Sequence, residues 1–110
     1  MCPAQFRGAH TAIMFLAEAA LGAEHAITRD DHTLREAPKG YDSIVARGYT
    51  GPDPAKDAVL RIDGKDVAVP QSMPVAQGEY SGSSFDKSEF LLYRESQHRL
   101  RYCIKFSWNY

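Results

Sequence analysis

The clearest pattern of apolar and polar positions lies near the C-terminus. Leu100, Tyr102, Ile104, Phe106 and Trp108 alternate with Arg99, Arg101, Cys103, Lys105 and Ser107. A period of two is that of a β-strand with one face toward a core and the other toward water. Just upstream, Glu89-Phe90-Leu91-Leu92-Tyr93 runs with little polar interruption, which predicts a strand buried on both faces. The polar stretch Arg94 to His98 between them reads as a turn. The pattern therefore predicts a C-terminal β-hairpin and makes it a principal source of core, at about 1.5–3 kcal/mol for each buried side chain.

Further upstream, Val59-Leu60-Arg61-Ile62 and Val67-Ala68-Val69 flank Asp63-Gly64-Lys65-Asp66, and Asp-Gly between apolar runs signals a tight hairpin turn. The run Thr11 to Gly22, TAIMFLAEAALG, supports two readings. Its Thr cap, its Ala, Met, Leu and Glu and its closing Gly suit a helix, but a continuous apolar run equally suits a buried strand. Residues 28 to 58 and 70 to 86 are rich in Pro and Gly and read as loops. The chain is read as mainly β, a single domain over 1–110, without internal repeats or low-complexity tracts.

Totals narrow the functional classes. The sequence has 110 residues, 44% hydrophobic and 25% charged, with a net charge of −1. No basic footprint points to nucleic acid. No apolar run reaches the roughly eighteen residues of a membrane helix, and the opening MCPAQFRGAH lacks the pattern of a secretory signal. The two cysteines, Cys2 and Cys103, are too few for a disulfide scaffold, and reduced thiols suit the cytosol or nucleus.

Candidate chemistry is sparse. His10, His25, His32 and His98 are scattered, with neither the i, i+4 pairing nor the Cys-x-x-Cys spacing of a metal site. No metal is expected. Phosphate-binding glycine motifs and a Gly-x-Ser-x-Gly elbow are missing from the sequence. Glu89 stands apart because it leads a strand with an otherwise apolar run. A carboxylate buried without a partner costs several kcal/mol or changes its ionisation, so Glu89 either sits at a cleft or remains in water at a strand end.

The stretch SEFLLYRESQHRLRYCIKF resembles the C-terminal hairpin of poly(ADP-ribose) polymerase catalytic domains. Glu89, Phe90, Tyr93, Gln97, Leu100, Arg101, Tyr102 and Phe106 stand at the family's spacing. FLAEAALG, APKGYDSIVARG, TGPDP and IDGKDVAVP are similar to further family segments, in the same order, from about residue 11 to the end. The likeness leans toward the nuclear, DNA-damage-responsive members. It implies an antiparallel sheet of the ADP-ribosyltransferase fold, with Ile13 to Glu18 as a buried strand rather than a helix. It implies transfer of ADP-ribose from NAD+, as substrate, to a protein acceptor or a growing ADP-ribose chain. Glu89 would be the catalytic carboxylate, holding a ribose hydroxyl, favouring positive charge on the breaking ribose and polarising the acceptor. A nuclear address follows from the resemblance, with the cytoplasm otherwise.

Two departures qualify that expectation. The family grips NAD+ with a His-Gly motif and stacks nicotinamide on a Tyr, both earlier in the domain, and no His-Gly pair occurs in this sequence. The chain is accordingly expected to be a C-terminal part of the domain, inactive alone. Its expected partners are the N-terminal part or a second copy along an exposed sheet edge, besides the protein acceptor; neither nucleic acid nor membrane is expected. The alternative is a non-enzymatic β-rich interaction module descended from the same fold. Before Glu89, where the family carries apolar residues and a Tyr, this chain reads Ser83-Ser84-Phe85-Asp86-Lys87-Ser88, and Lys87 either pairs with the Glu89 carboxylate or stays solvated.

Overall fold

The computed structural model describes residues 10–109. Among these residues ten strands account for the regular structure: β1 (His10–Ala19), β2 (Glu24–Ile27), β3 (Ser43–Ala46), β4 (Gly48–Gly51), β5 (Ala58–Ile62), β6 (Lys65–Val69), β7 (Val75–Ala76), β8 (Phe85–Lys87), β9 (Glu89–Leu91) and β10 (His98–Trp108). Short 3-10 turns at Pro54–Lys56, Gly78–Tyr80 and Glu95–Gln97 are the only helical pieces among the described residues. The fold is mainly β, and the TAIMFLAEAA run is strand rather than helix. The described residues fall into two compact units, Ala20–Gln97 and the paired first and last segments of the chain.

The first-and-last unit is an antiparallel ribbon of β1 and β10, in register from His10↔Trp108 to Ala19↔His98. Ala12, Met14 and Leu16 oppose Phe106, Ile104 and Tyr102 across the ribbon, so one face is apolar as the alternation predicts. A bulge between Leu16 and Ala17 leaves Arg101 as the extra residue of β10, and bulges re-aim the side chains they free. The Arg101 guanidinium donates from Nε to Glu18 Oε2 at 2.7 Å, and from its terminal nitrogen to the same oxygen. The pair is largely shielded, with side chains 21% and 24% exposed.

The expectation that β10 supplies core is corrected here. Leu100, Tyr102, Ile104, Phe106 and Trp108 are all exposed, as are Ile13, Met14, Phe15 and Leu16. A two-stranded ribbon is by itself a single layer, and a buried face needs a second.

The Ala20–Gln97 unit holds the core, centred on β3. Ser43, Ile44, Val45 and Ala46 are each at most 3% exposed. β3 is the middle strand of a three-stranded sheet, parallel to β2 and antiparallel to β9. Its short, β-branched Ile-Val pair suits a strand packed on both sides. The Ser43 hydroxyl donates to the Leu21 carbonyl at 2.8 Å, which satisfies the one polar side chain in this core. A second sheet places β4 between β7, antiparallel, and β8, parallel.

β5 and β6 form the predicted hairpin, with Ile62↔Lys65 closing the ladder. Asp63 and Gly64 both take positive φ, 51° and 76°, as a type I′ turn demands of its two central residues. The C-terminal hairpin is a second correction. The turn between β9 and β10 is present, but the two strands do not pair with each other: β9 pairs with β3 and β10 with β1. β9 is also shorter than the expected 89–93 strand, and Glu89, Phe90 and Leu91 are exposed rather than buried on both faces. β9 is the edge strand of its sheet, paired on one side only, with β3.

Candidate active site

Glu89 is the first residue of β9 and pairs with Ala46 of the buried β3. Strand alternation then divides the segment. Phe85, Glu89, Leu91 and Tyr93 line a shallow cavity of about 190 Å³, together with Ile44 and Ala46 of β3 and Asp30 and Asp31 of the β2–β3 connection. Ser88 and Phe90 face the other side. The Glu89 carboxylate is exposed, and among the described residues it has no hydrogen-bond or ion-pair partner. The expected Lys87–Glu89 pair is replaced by a different one: Lys87 Nζ lies 3.4 Å from Asp86 Oδ2. Neighbouring strand residues point to opposite faces, but both side chains are exposed and the Lys87 chain is long enough to reach back to Asp86.

Asp31 shares the cavity but is committed to its own turn. Its Oδ1 accepts from Thr33 Oγ1 at 2.5 Å and from Thr33 N–H at 2.9 Å. These bonds, the hydroxyl first and the amide second, hold its carboxyl below the ordinary value, because both favour the anion. His25 stands edge-on to Tyr41 with ring centroids 5.0 Å apart, and His10 stacks on Trp108 at 5.6 Å. Among the described residues no three His, Cys, Asp or Glu side chains gather as metal ligands. Cys103 is a free, exposed thiol; Cys2 lies outside the described residues.

On the far side of β9, Ser88 and Phe90 join Pro52, Pro54, Pro70 and Pro74 around a larger cavity of about 360 Å³. Its rim is stapled. Gln77 Nε2 donates to the Gly51 and Pro52 carbonyls, both at 3.0 Å. Asp53 N–H donates to Ser72 Oγ at 2.7 Å, and Asp53 Oδ1 accepts from Ala55 N–H at 3.0 Å. The TGPDP motif is thus a self-capped loop.

Gln97, also at a family position, donates from Nε2 to the Asp42 carbonyl at 2.7 Å and to the Ala20 carbonyl at 3.2 Å. It ties the start of the Ala20–Gln97 unit to its end.

Comparison with known proteins bears on this arrangement. The model of the poly(ADP-ribose) polymerase catalytic domain matches residues 2–108. The chain belongs to the poly(ADP-ribose) polymerase family. It is 51% identical over 96 residues to protein mono-ADP-ribosyltransferase PARP3 of Homo sapiens, covering 87% of this chain and 18% of that protein. To the PARP3 of Mus musculus it is 52% identical over 98 residues, 89% of this chain and 18% of that protein. Poly [ADP-ribose] polymerase 1 of Xenopus laevis is 31% identical over 106 residues, 94% of this chain and 10% of that protein. The chain spans less than a fifth of the length of each.

Family membership accounts for the run of motifs, but several structural contacts cannot be read from them. Arg47, Gly48, Ser83 and Ser88 form a bonded cluster beside Glu89. Their signal was present only as the unusual serine-rich stretch before it.

Proposed function

We propose that this chain supplies the carboxylate-bearing part of an ADP-ribosyltransferase site that takes NAD+ as substrate. The observation that carries the reading is Glu89 at the head of β9, at the family's position for its glutamate and backed by the buried strand β3. In this role the carboxylate holds a ribose hydroxyl while the nicotinamide–ribose bond breaks and stabilises the positive charge that develops on the ribose. It then accepts the proton of the incoming acceptor hydroxyl as general base. An exposed carboxylate is accessible to both the ribose and the acceptor. The residues that grip NAD+ come from a segment with the His-Gly motif, which this sequence does not contain, so the isolated chain transfers nothing. A protein acceptor, a nuclear address and a tie to DNA damage rest on the resemblance and form part of this proposal.

The test is a chimera in which this chain replaces the matching segment of the Mus musculus relative, incubated with labelled NAD+. Transfer by the chimera and its loss in Glu89→Gln support the reading. A folded chimera that labels equally well with Gln at 89 refutes it.

A second reading, an interaction module, has its own observation: both faces of the β1–β10 ribbon carry exposed apolar side chains. On this reading the ribbon covers itself by self-association or with the N-terminal part of the domain. A folded chimera inactive in every form would favour it.

A further inference from the structure

Ser83 and Ser88 bracket β8, and their hydroxyls meet one and the same peptide group. Ser83 Oγ donates to the Arg47 carbonyl at 2.5 Å. Gly48 N–H donates to Ser88 Oγ at 3.0 Å. The Arg47 carbonyl and the Gly48 amide are the two ends of a single peptide unit, the corner where β3 gives way to β4. Ser83 Oγ also accepts from Phe85 N–H at 3.0 Å, which ties that hydroxyl to the first residue of β8. On its inner side the corner is anchored by Arg47 N–H, which donates to the Ile27 carbonyl at 2.9 Å.

Gly48 completes the arrangement. It is buried, and a Cβ there would lie 2.4 Å from the Lys87 carbonyl carbon and 2.5 Å from the Asp86 oxygen. Those are backbone atoms, which cannot swing aside. Only glycine allows β4 to lie this close against the chain entering Glu89.

We propose that Ser83, Ser88 and Gly48 are positioning residues for Glu89. The Glu89 side chain has no partner of its own among the described residues, so its aim is set by its backbone. That backbone is fixed on one flank by pairing with Ala46 of β3 and at the preceding residue by the Ser88 hook on Gly48. Together they set where the carboxylate starts, and a misplacement of about 1 Å at a reacting group costs about a hundredfold in rate. This proposal rests on Glu89 being the transferase carboxylate.

The experiment uses two readouts. In the chain itself, exchange of the Gly48 amide with solvent is followed by NMR. In the chimera, kcat and KM for NAD+ are measured. Ser88→Ala is expected to speed Gly48 exchange about tenfold or more, and to lower kcat about ten- to a hundredfold with KM nearly unchanged. Ser88→Thr, which keeps the hydroxyl, restores both. Ser83→Ala is the second variant and is expected to act in the same direction. A merely structural serine would not separate kcat from KM or respond to the returned hydroxyl. Parental kcat in Ser88→Ala, with activity lost in Glu89→Gln, overturns the positioning proposal alone. Parental activity in Glu89→Gln overturns the transferase reading of Glu89 and this proposal with it.

Discussion

Val45→Ala removes two methyl groups from the most enclosed position of the fold. Val45 is 0% exposed and sits in β3 between β2 and β9. At about 0.8 kcal/mol per buried carbon, the lost transfer term is about 1.6 kcal/mol. A cavity of about 50 Å³ adds about 1 kcal/mol at 24 cal/mol per Å³, less whatever the strands recover by relaxing. The expected loss is therefore about 2–3 kcal/mol. The control is the same substitution in another strand: Val59 in β5 is 65% exposed, and Val59→Ala should stay within about 0.5 kcal/mol. Both are read by urea unfolding of the chain followed by circular dichroism. With an m-value of about 1 kcal/mol/M, Val45→Ala should lower the midpoint by about 2–3 M and Val59→Ala by less than about 0.5 M. Equal shifts would refute β3 as the centre of the core.

Other outcomes follow from particular contacts. Glu18→Ala takes the carboxylate from the shielded Arg101 guanidinium and should destabilise the β1–β10 ribbon by about 1–3 kcal/mol, measured by thermal unfolding on Trp108 fluorescence. Thr33→Val removes the stronger of the two donors to Asp31, so the Asp31 carboxyl titration, followed by NMR, should move up toward 3.8. The sign is that of a lowered native-state value: the stabilisation is complete above the ordinary value of 3.8 and lost as pH falls through the lower native one. An unchanged midpoint would refute the hydrogen bonds as its cause. The isolated chain should self-associate in sedimentation through its apolar ribbon, and Ile13→Lys with Phe15→Lys should reduce this; a monodisperse parent chain would refute the idea.

How much was legible depended on the range of the forces involved. The Asp63-Gly64 hairpin was readable because its turn chemistry is local and decides the backbone unaided. The alternation through β10 was readable for the same reason. The partner of β10 was not, because alternation names a face and says nothing about which strand lies alongside. The nearest strand in sequence, β9, is the obvious choice, yet β3 and β1 take the two strands separately. The β1 segment shows the opposite limit. Its residues favour a helix, and long-range pairing with β10 overrides that preference. Glu89 was legible through the resemblance, and its exposure follows from its place at the open end of a short strand. The serine cluster beside it was hidden, since a hydroxyl's partner nineteen or more positions away leaves no trace in local pattern; Ser83 and Ser88 find theirs 36 and 40 residues away.

The tie at the base of the ribbon also bears on the order in which the chain folds. Ala20 N–H donates to the Gln97 carbonyl at 2.7 Å, inside the Ala20–Gln97 unit. Before that unit forms, bringing His10 to Trp108 means closing a loop of nearly the whole chain, with the entropy that such closure demands. Afterwards the two strands leave from bonded neighbours and can zip from Ala19↔His98 outward, one short step at a time. The ribbon is therefore expected to form last. Because Trp108 is the sole tryptophan, indole emission in a refolding experiment follows that last step, while circular dichroism moves earlier.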